Sequence, residues 1–172
     1  ILILIIINSS IEFLKRYVNR NPGDETNPDQ ESFGVTIILS NEGIMRAKVK
    51  SGHLEKYNEK EFVLLDSNVT VDFFDENERH TSNLTSLRAE VDQTSNNMKA
   101  IGSVVAVSDS GITLYTDTLI WNSKDEKMFT NDSIKITTTE SDTLFGIGFE
   151  SDSDLKNWKV LKPSGVTNRG MK

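Results

Sequence analysis

Short runs in which apolar and polar residues alternate fill most of the chain after residue 33. Because successive side chains of a strand point to opposite faces of a sheet, such alternation predicts strands with one buried face. The runs are rich in β-branched and aromatic residues, and turn-forming residues bound each of them. The pattern is typical of an antiparallel all-β protein. The predicted strands cover residues 35–39, 68–74, 103–108, 111–116, 133–139 and 143–150.

Polar clusters between these runs predict hairpin turns. They are FDENE at 74–78, SDSG at 108–111 and NSKDE at 122–126. In the strand before the first turn, the odd positions Val69, Val71 and Phe73 are apolar, whereas Thr70 and Asp72 between them are polar. We therefore expect the valine and phenylalanine side chains to share the face that is turned toward the core.

One pattern of apolar positions occurs three times, at 54–71, 89–106 and 119–136. Aligned without gaps, the copies begin 35 and 30 residues apart, and each has a polar cluster at the same place. Each copy is therefore predicted to form a strand, a polar turn and a second strand. The matched apolar columns are Leu54/Ala89/Leu119, Val63/Met98/Met128, Val69/Val104/Ile134 and Val71/Ala106/Ile136.

A hairpin repeat of this period cannot bury its apolar face alone, so its copies must stack or face one another. A solenoid, a propeller and a pair of facing sheets all achieve this, but three copies are few for a propeller. An elongated two-sheet antiparallel β-jelly roll suits the length of the chain best. Its outermost strands would be open edges, which pair readily with another chain.

Charge and residue chemistry restrict the possible functions. The formal net charge is −7 and the basic residues are scattered, which argues against nucleic acid as a partner. The chain has no cysteine, so disulfides, thiolate metal sites and cysteine nucleophiles are excluded. His53 and His80 have no metal-ligand partner at helical or hairpin spacing, and no serine lies in a nucleophile-elbow pattern. The sequence predicts a protein that is not an enzyme and needs no cofactor or metal.

The chain opens with the apolar run ILILIII, which is too short to span a bilayer because a helix needs about 20 residues. We interpret residues 1–20 as the end of an N-terminal membrane anchor or signal segment, and a buried strand is the alternative. Residues 21–32 have the composition of a polar linker. The β domain is predicted at 33–165 and a polar C-terminal tail at 166–172.

Several short motifs follow one another between residues 102 and 148. They are Gly-x-Val, Gly-x-x-Leu-x-Thr-x-x-Leu-x-Trp, a turn with Thr-x-Asp and Ile-x-Ile, and Gly-x-Gly. In this order and spacing they resemble the LptC family of lipopolysaccharide export proteins and its relative LptA. The resemblance extends over about residues 41–165. The residues that meet the pattern are Gly102, Val104, Gly111, Leu114, Thr116, Leu119, Trp121, Thr130, Asp132, Ile134, Ile136, Gly146 and Gly148.

This resemblance implies a twisted two-sheet β-jelly roll that is periplasmic and anchored to the inner membrane by an N-terminal helix. It implies a non-enzymatic carrier that receives lipopolysaccharide from the inner-membrane ABC transporter. The carrier would pass it to an LptA-like periplasmic bridge of similar jelly rolls, joined through edge strands. Acyl chains would lie in the groove between the sheets.

The candidate lining of that groove is the set of inward-facing apolar residues, each of which can instead be plain core. Trp121 is the best single candidate, because a large amphipathic ring suits the mouth of a groove. The set is Val69, Val71, Val104, Leu119, Trp121, Ile134, Ile136, Phe145 and Ile147.

Two other interpretations stay open. One is a soluble LptA-like periplasmic bridge protein, and the other is a structural β-repeat surface protein without a lipid ligand. If the C-terminal edge docks a bridge protein, the docking strand is expected near 143–150 or 158–161, because Pro163 and Gly165 are expected to end any strand.

Overall fold

The computed structural model describes residues 3–7, 28–57, 59–140 and 142–167. All the regular secondary structure in these residues is β-strand. The strands are β1 (Ile3–Ile7), β2 (Gln30–Asn41), β3 (Ile44–Lys56), β4 (Phe62–Phe74), β5 (His80–Asp92), β6 (Met98–Ser108), β7 (Thr113–Asn122), β8 (Lys127–Thr137), β9 (Thr143–Asp152) and β10 (Trp158–Thr167).

The strands form one antiparallel sheet in which each strand pairs with its neighbours in sequence, from β1 to β10. The predicted antiparallel all-β class is therefore confirmed. The turns expected at 74–78, 108–111 and 122–126 connect β4 to β5, β6 to β7 and β7 to β8. Two separate sheets had been expected, but the hydrogen-bonded ladder is unbroken across the described strands.

The threefold repeat corresponds to three hairpins at the same end of the strands. Its copies fall on the β3–β4, β5–β6 and β7–β8 hairpins, with the polar clusters in the turns. All the residues in the four matched apolar columns are buried, with exposed fractions of 7% or less. The repeat is thus a repeat of core positions.

The strands β3 and β5 were recognised only as parts of the repeat. Their sequences, IMRAKVKSGHLEK and HTSNLTSLRAEVD, contain few large apolar residues. Their inward positions include Ala47, Ser82 and Ser86, all buried. Small and hydroxylated side chains on the buried face weaken the alternation of hydrophobicity on which the prediction depends.

A line of register shifts crosses the sheet near the middle of the strands. The shifts lie between Lys50 and His53 on β3, Asp66 and Val69 on β4, and Thr85 and Arg88 on β5, and they continue through β6, β7 and β8. Such bulges bend a strand and increase its twist. Gly102, at the shift on β6, has φ of +83°, a conformation that glycine adopts without steric cost.

The bend divides the sheet into two layers that face each other. Layer A contains the strand segments that end in the turns near residues 41–44, 74–80, 108–113 and 137–143, and layer B contains those that end near 56–62, 92–98, 122–127 and 152–158. Phe73 of β4 and Trp121 of β7 show the closure, since their ring centroids are 5.4 Å apart. In a flat sheet three strand spacings would separate them by about 14 Å. The sheet therefore covers its own apolar face.

The ends of the sheet extend beyond the predicted domain limits. β2 begins at Gln30, within the predicted linker, and β10 continues through Pro163 to Thr167, with a register shift between Pro163 and Gly165. Proline is tolerated there because β10 is an edge strand and needs no backbone donor on its open side.

The apolar run at 3–7 forms β1, which pairs with Val35–Leu39 of β2. Its backbone is therefore that of a strand, which was the alternative to a membrane anchor or signal segment. Most of the predicted segment 1–20, together with most of the predicted linker, lies outside the described residues. No helix in the described residues is both long and apolar enough to cross a membrane.

Replacing Phe73 by alanine tests the closure of the two layers. Phe73 is fully buried and contacts Trp121 of the opposite layer, so Phe73→Ala is expected to lower the free energy of unfolding by about 3–5 kcal/mol. Urea denaturation followed by tryptophan fluorescence measures the change. Phe145→Ala is the matched control, because Phe145 is 40% exposed on the same sheet. This substitution should lower the free energy of unfolding by about 1 kcal/mol or less. Equal losses for the two variants would contradict the folded-over core.

Candidate functional site

The space between the two layers is the first candidate site. Seven of the nine predicted lining residues are buried there, with exposed fractions of 4% or less. They come from β4, β6, β7 and β8, and they join the single apolar cluster of the described residues. They are Val69, Val71, Val104, Leu119, Trp121, Ile134 and Ile136. These side chains thus belong to one continuous and almost completely buried apolar cluster.

The two predicted lining residues on β9 point the other way. Phe145 and Ile147 are 40% and 49% exposed, on the outer surface of the sheet. The inward positions of this strand are Gly146 and then Phe149, which is fully buried. Gly148, with φ of +78°, lies where the alternation of inward and outward side chains along β9 shifts by one residue. Sequence alternation alone placed the bulky residues inward because it could not detect this change of phase.

The turns of the two layers meet along a line opposite the bend, which we call the seam. Arg46 of layer A pairs with Glu126 in the β7–β8 turn of layer B. The Ser82 hydroxyl of layer A donates a hydrogen bond to the carbonyl oxygen of Ser153 in the β9–β10 turn of layer B. Burial raises the pKa of Glu126, although the positive charge of Arg46 opposes that effect. A few polar contacts therefore connect the layers at the seam.

A pocket of about 320 Å³ opens at the seam. Residues near the β2–β3 turn form one wall, and the β5–β6 and β7–β8 turns form the other. Its volume is at the lower end of the range for small-molecule sites. Trp121, the residue predicted for the mouth of a groove, is among the residues that line this pocket. The principal lining residues are Leu39, Arg46, Asn96, Trp121 and Lys124.

A second polar cluster surrounds His53 on β3. Its imidazole Nε2 lies 2.8 Å from Glu31 on β2, and its Nδ1 lies 3.3 Å from Asp66 on β4. The ring stacks on Phe33 with centroids 4.9 Å apart. His53 is directly opposite Phe33 in one ladder and Asp66 in the other.

The same cluster brings metal-ligating atoms together. One ligand atom each from Glu31, His53 and Glu55 lies within 4.8 Å of the others. Glu55 is two residues from His53 on β3, whereas Glu31 is on the neighbouring strand β2, and such a cross-strand pairing leaves no spacing signal in the sequence. Nitrogen and oxygen donors of this kind suit divalent cations. Since carboxylates contact both imidazole nitrogens, the cluster as observed is an ion-pair network.

Contacts within this network shift the pKa values of His53 and Asp66. Burial alone would lower the pKa of His53, but hydrogen bonds and negative charge from Asp66 and Glu31 outweigh it, and the pKa is raised. Burial would raise the pKa of Asp66, but hydrogen bonds from Ser67 and His53 and the charges of His53 and Arg88 lower it overall. The imidazolium and the carboxylates thus stabilise each other.

Over residues 1–165 the chain matches the family described as lipopolysaccharide-assembly, LptC-related. Among solved structures it is similar to LptH of Pseudomonas aeruginosa, described as the LptA homologous periplasmic component of the conserved lipopolysaccharide transport device. The TM-score is 0.53 at 13% sequence identity, and the match covers 73% of this chain and 89% of that one. At this identity the likeness shows the fold alone. No curated protein sequence matches the chain significantly.

The His53 network predicts a pH dependence of stability. The raised pKa of His53 gives a contribution that is complete below about pH 6.5 and is lost as the pH rises through the folded-state pKa. The lowered pKa of Asp66 gives a contribution that is complete above about pH 3.9 and is lost as the pH falls through its folded-state pKa. Both contributions to stability are therefore complete only between about pH 3.9 and about pH 6.5.

Replacing His53 by glutamine should cost about 1–2 kcal/mol of unfolding free energy at pH 5.5 and less at pH 8.5. Urea denaturation at the two pH values measures this difference. His80→Gln is the control: His80 also contacts a carboxylate, Asp109 at 3.0 Å, but its side chain is 39% exposed, and exposed pairs contribute little. If His53→Gln lowers the free energy of unfolding equally at both pH values, the network does not hold a proton.

Proposed function

The chain belongs to the LptC-related family of lipopolysaccharide-assembly proteins, and from that premise we propose that it carries lipopolysaccharide without catalysing a reaction. In this proposal it receives lipopolysaccharide from the inner-membrane ABC transporter and passes it to a periplasmic bridge of jelly rolls. The observation that supports the proposal best is the folded-over sheet, whose two layers enclose one apolar cluster of buried side chains.

The apolar interior supplies the attraction that a lipid carrier needs. Buried apolar surface contributes roughly 25 cal/mol per Å², so a few hundred Å² hold an acyl chain firmly. The proposed lining is the seven buried residues Val69, Val71, Val104, Leu119, Trp121, Ile134 and Ile136. We describe the folded sheet as a twisted jelly roll on the same grounds, since its two layers enclose one elongated core.

Loading requires the layers to separate, because the proposed lining residues are almost completely buried. The bend joins the layers covalently through every strand that crosses it. We propose that they part at the seam, where in the described residues the layers are connected through side chains, as in the Arg46–Glu126 pair and the Ser82 hydrogen bond to the Ser153 carbonyl. We propose that acyl chains enter and leave the interior along the seam.

Partner contacts are proposed at the ends of the sheet. β9 is paired on both sides, by β8 and β10, so residues 143–150 do not form an open edge. β10 is the last strand in the pairing order of the described residues and leaves one row of backbone groups available. Strand addition at such an edge gives affinity through main-chain hydrogen bonds. We propose that β10 docks the LptA-like bridge.

The proposed location is the periplasm, with an N-terminal segment that anchors the protein in the inner membrane. An LptA-like bridge protein without an anchor is the alternative within the same transport system. Fractionation of the full-length protein distinguishes them, because an anchored carrier stays with the membrane after a high-salt wash and an unanchored one does not.

Photocrosslinking from Ile136 tests lipid carriage. Ile136 is buried on the inner face of β8, and the adjacent Lys135 is exposed on the outer face. A photoreactive residue at Ile136 or Trp121 should give a lipopolysaccharide-positive band after irradiation in the native cell type, and one at Lys135 should not. Bands of equal strength from both faces, or none from the inner face of a folded and abundant protein, would contradict the proposal. The second result would favour a structural β-repeat protein.

Docking at β10 is tested in the same way with a protein readout. A photoreactive residue at Lys159, which is exposed on β10, should crosslink to the bridge protein. The control is Lys99, which is exposed on β6 between two paired strands. An adduct from Lys99 but not from Lys159 would place the contact elsewhere and contradict docking by strand addition.

A further inference from the structure

Three buried polar atoms around the seam pocket have no hydrogen-bond partner in the described part of the chain. They are the indole Nε1 of Trp121, the guanidinium Nε of Arg46 and the amide oxygen of Asn96. Trp121, Arg46 and Asn96 have exposed fractions of only 2%, 9% and 3%, and all three line the same pocket. Buried polar groups without partners are rare in native proteins, because leaving them unpaired costs free energy. Their concentration in one pocket indicates a site for a polar group.

Each of the three residues is constrained by its surroundings, Trp121 and Arg46 through the side chain and Asn96 through the backbone. The Trp121 ring packs edge-on against Phe73. One terminal nitrogen of Arg46 pairs with Glu126, and the Nε of the same guanidinium is a buried donor without a partner. Asn96 has φ of +58°, and its backbone N–H donates to the carbonyl oxygen of Asp92 at 3.0 Å. The unpartnered atoms therefore belong to residues that are constrained by their surroundings.

The turn wall of the pocket is also preformed. The backbone N–H of Ser123 donates to the side-chain oxygen of Asn97 at 2.9 Å, and the Ser123 hydroxyl donates to the carbonyl oxygen of Ser95 at 2.6 Å. These bonds tie the β5–β6 turn to the β7–β8 turn. A preformed wall lowers the ordering cost of binding.

The chemistry of the pocket defines the group that fits it. Two N–H donors, from Trp121 and Arg46, match carbonyl oxygens, and the Asn96 oxygen matches a hydroxyl or amide N–H. Glu126 compensates the charge of Arg46, and Lys124 is exposed at the rim, so the buried end of the pocket favours a neutral group. Leu39 and the ring of Trp121 provide apolar wall beside these polar atoms. A ligand with a carbonyl and a hydroxyl or amide at the start of an alkyl chain meets all these conditions.

We propose that the seam pocket binds the ester or amide linkage of an acylated ligand, with Trp121 and Arg46 donating to its carbonyl oxygen and Asn96 accepting from a neighbouring hydroxyl or amide. This inference rests on the proposed lipid-carrying function and adds a specific polar subsite to it. The linkage sits at the seam while the acyl chain extends toward the apolar interior. Such a subsite fixes the depth of the ligand, which an apolar groove alone does not.

The test uses 1-monolauroylglycerol, which has an ester carbonyl and free hydroxyls, below its micelle concentration. The matched probe is 1-O-dodecylglycerol, an ether of the same chain length without the carbonyl. In a ¹H–¹⁵N correlation spectrum of the protein, the indole N–H of Trp121 should move downfield with the ester and stay unchanged with the ether. Trp158, the other tryptophan, lies outside the pocket and serves as the internal reference.

Variants separate the polar contacts from the apolar wall. Trp121→Phe retains a ring but removes the N–H, and Asn96→Gly removes the amide while tolerating the positive φ. Each should weaken binding of the ester about five- to tenfold, the effect of one lost hydrogen bond, and Trp158→Phe should not weaken it. Trp121→Phe should leave binding of the ether unchanged. The indole readout on the unaltered protein keeps the test valid if a variant fails to fold.

The outcomes distinguish this inference from the proposed function. Equal binding of ester and ether without an indole shift would overturn the polar subsite and leave lipid carriage intact. An indole N–H that is already shifted downfield without a probe would show that bound water satisfies the pocket, and would also overturn the subsite. Binding of neither probe, together with no lipopolysaccharide adduct from Ile136, would overturn both proposals.

Discussion

The dominant physical constraint on this protein is that its sheet must bury its own apolar face. The described residues contain strands and turns but no helix that could cover that face. Nevertheless every strand from β2 to β9 contributes side chains that are almost completely buried. Only a sheet that folds over itself satisfies both observations. The bulges, the two layers and the seam are all consequences of that folding.

The two layers are connected differently at the bend and at the seam. At the bend the backbone of many strands continues from one layer to the other, so the layers cannot separate there. At the seam the layers meet through turns, and few side-chain contacts such as Arg46–Glu126 connect them. A polar pocket with unpartnered donors lies on this weaker side. The proposed carrier would take up and release lipid on this side, where polar side-chain contacts connect the layers.

Family membership and fold contribute separate information. The match over residues 1–165 connects the chain to lipopolysaccharide assembly, and the likeness to LptH concerns the fold alone. The geometry adds what neither comparison provides: an apolar cluster between the layers, an edge strand at β10 in the described residues, and the unpartnered polar atoms of the pocket. The proposed transport role depends on these three features together.

The sequence by itself determined the β class, the main hairpin turns and the threefold repeat, because alternation and turn residues are local signals. All the apolar residues in the four matched columns, from Leu54 to Ile136, are buried. Alternation failed at Phe145 and Ile147, since Gly148 changes the phase of β9 without altering its hydrophobic pattern. Local signals also could not distinguish two facing sheets from one sheet bent along a line of bulges. That depends on how all the strands pair.

Only the tertiary structure brought together residues from distant strands. The contact of Phe73 with Trp121, the pairing of Arg46 with Glu126 and the cluster around His53 join side chains that no spacing rule connects. The seam pocket belongs to the same class, because its walls come from three separate turns. Sequence periodicity specifies which face of a strand is buried, whereas folding of the sheet decides which buried faces meet and where polar atoms are left without a partner.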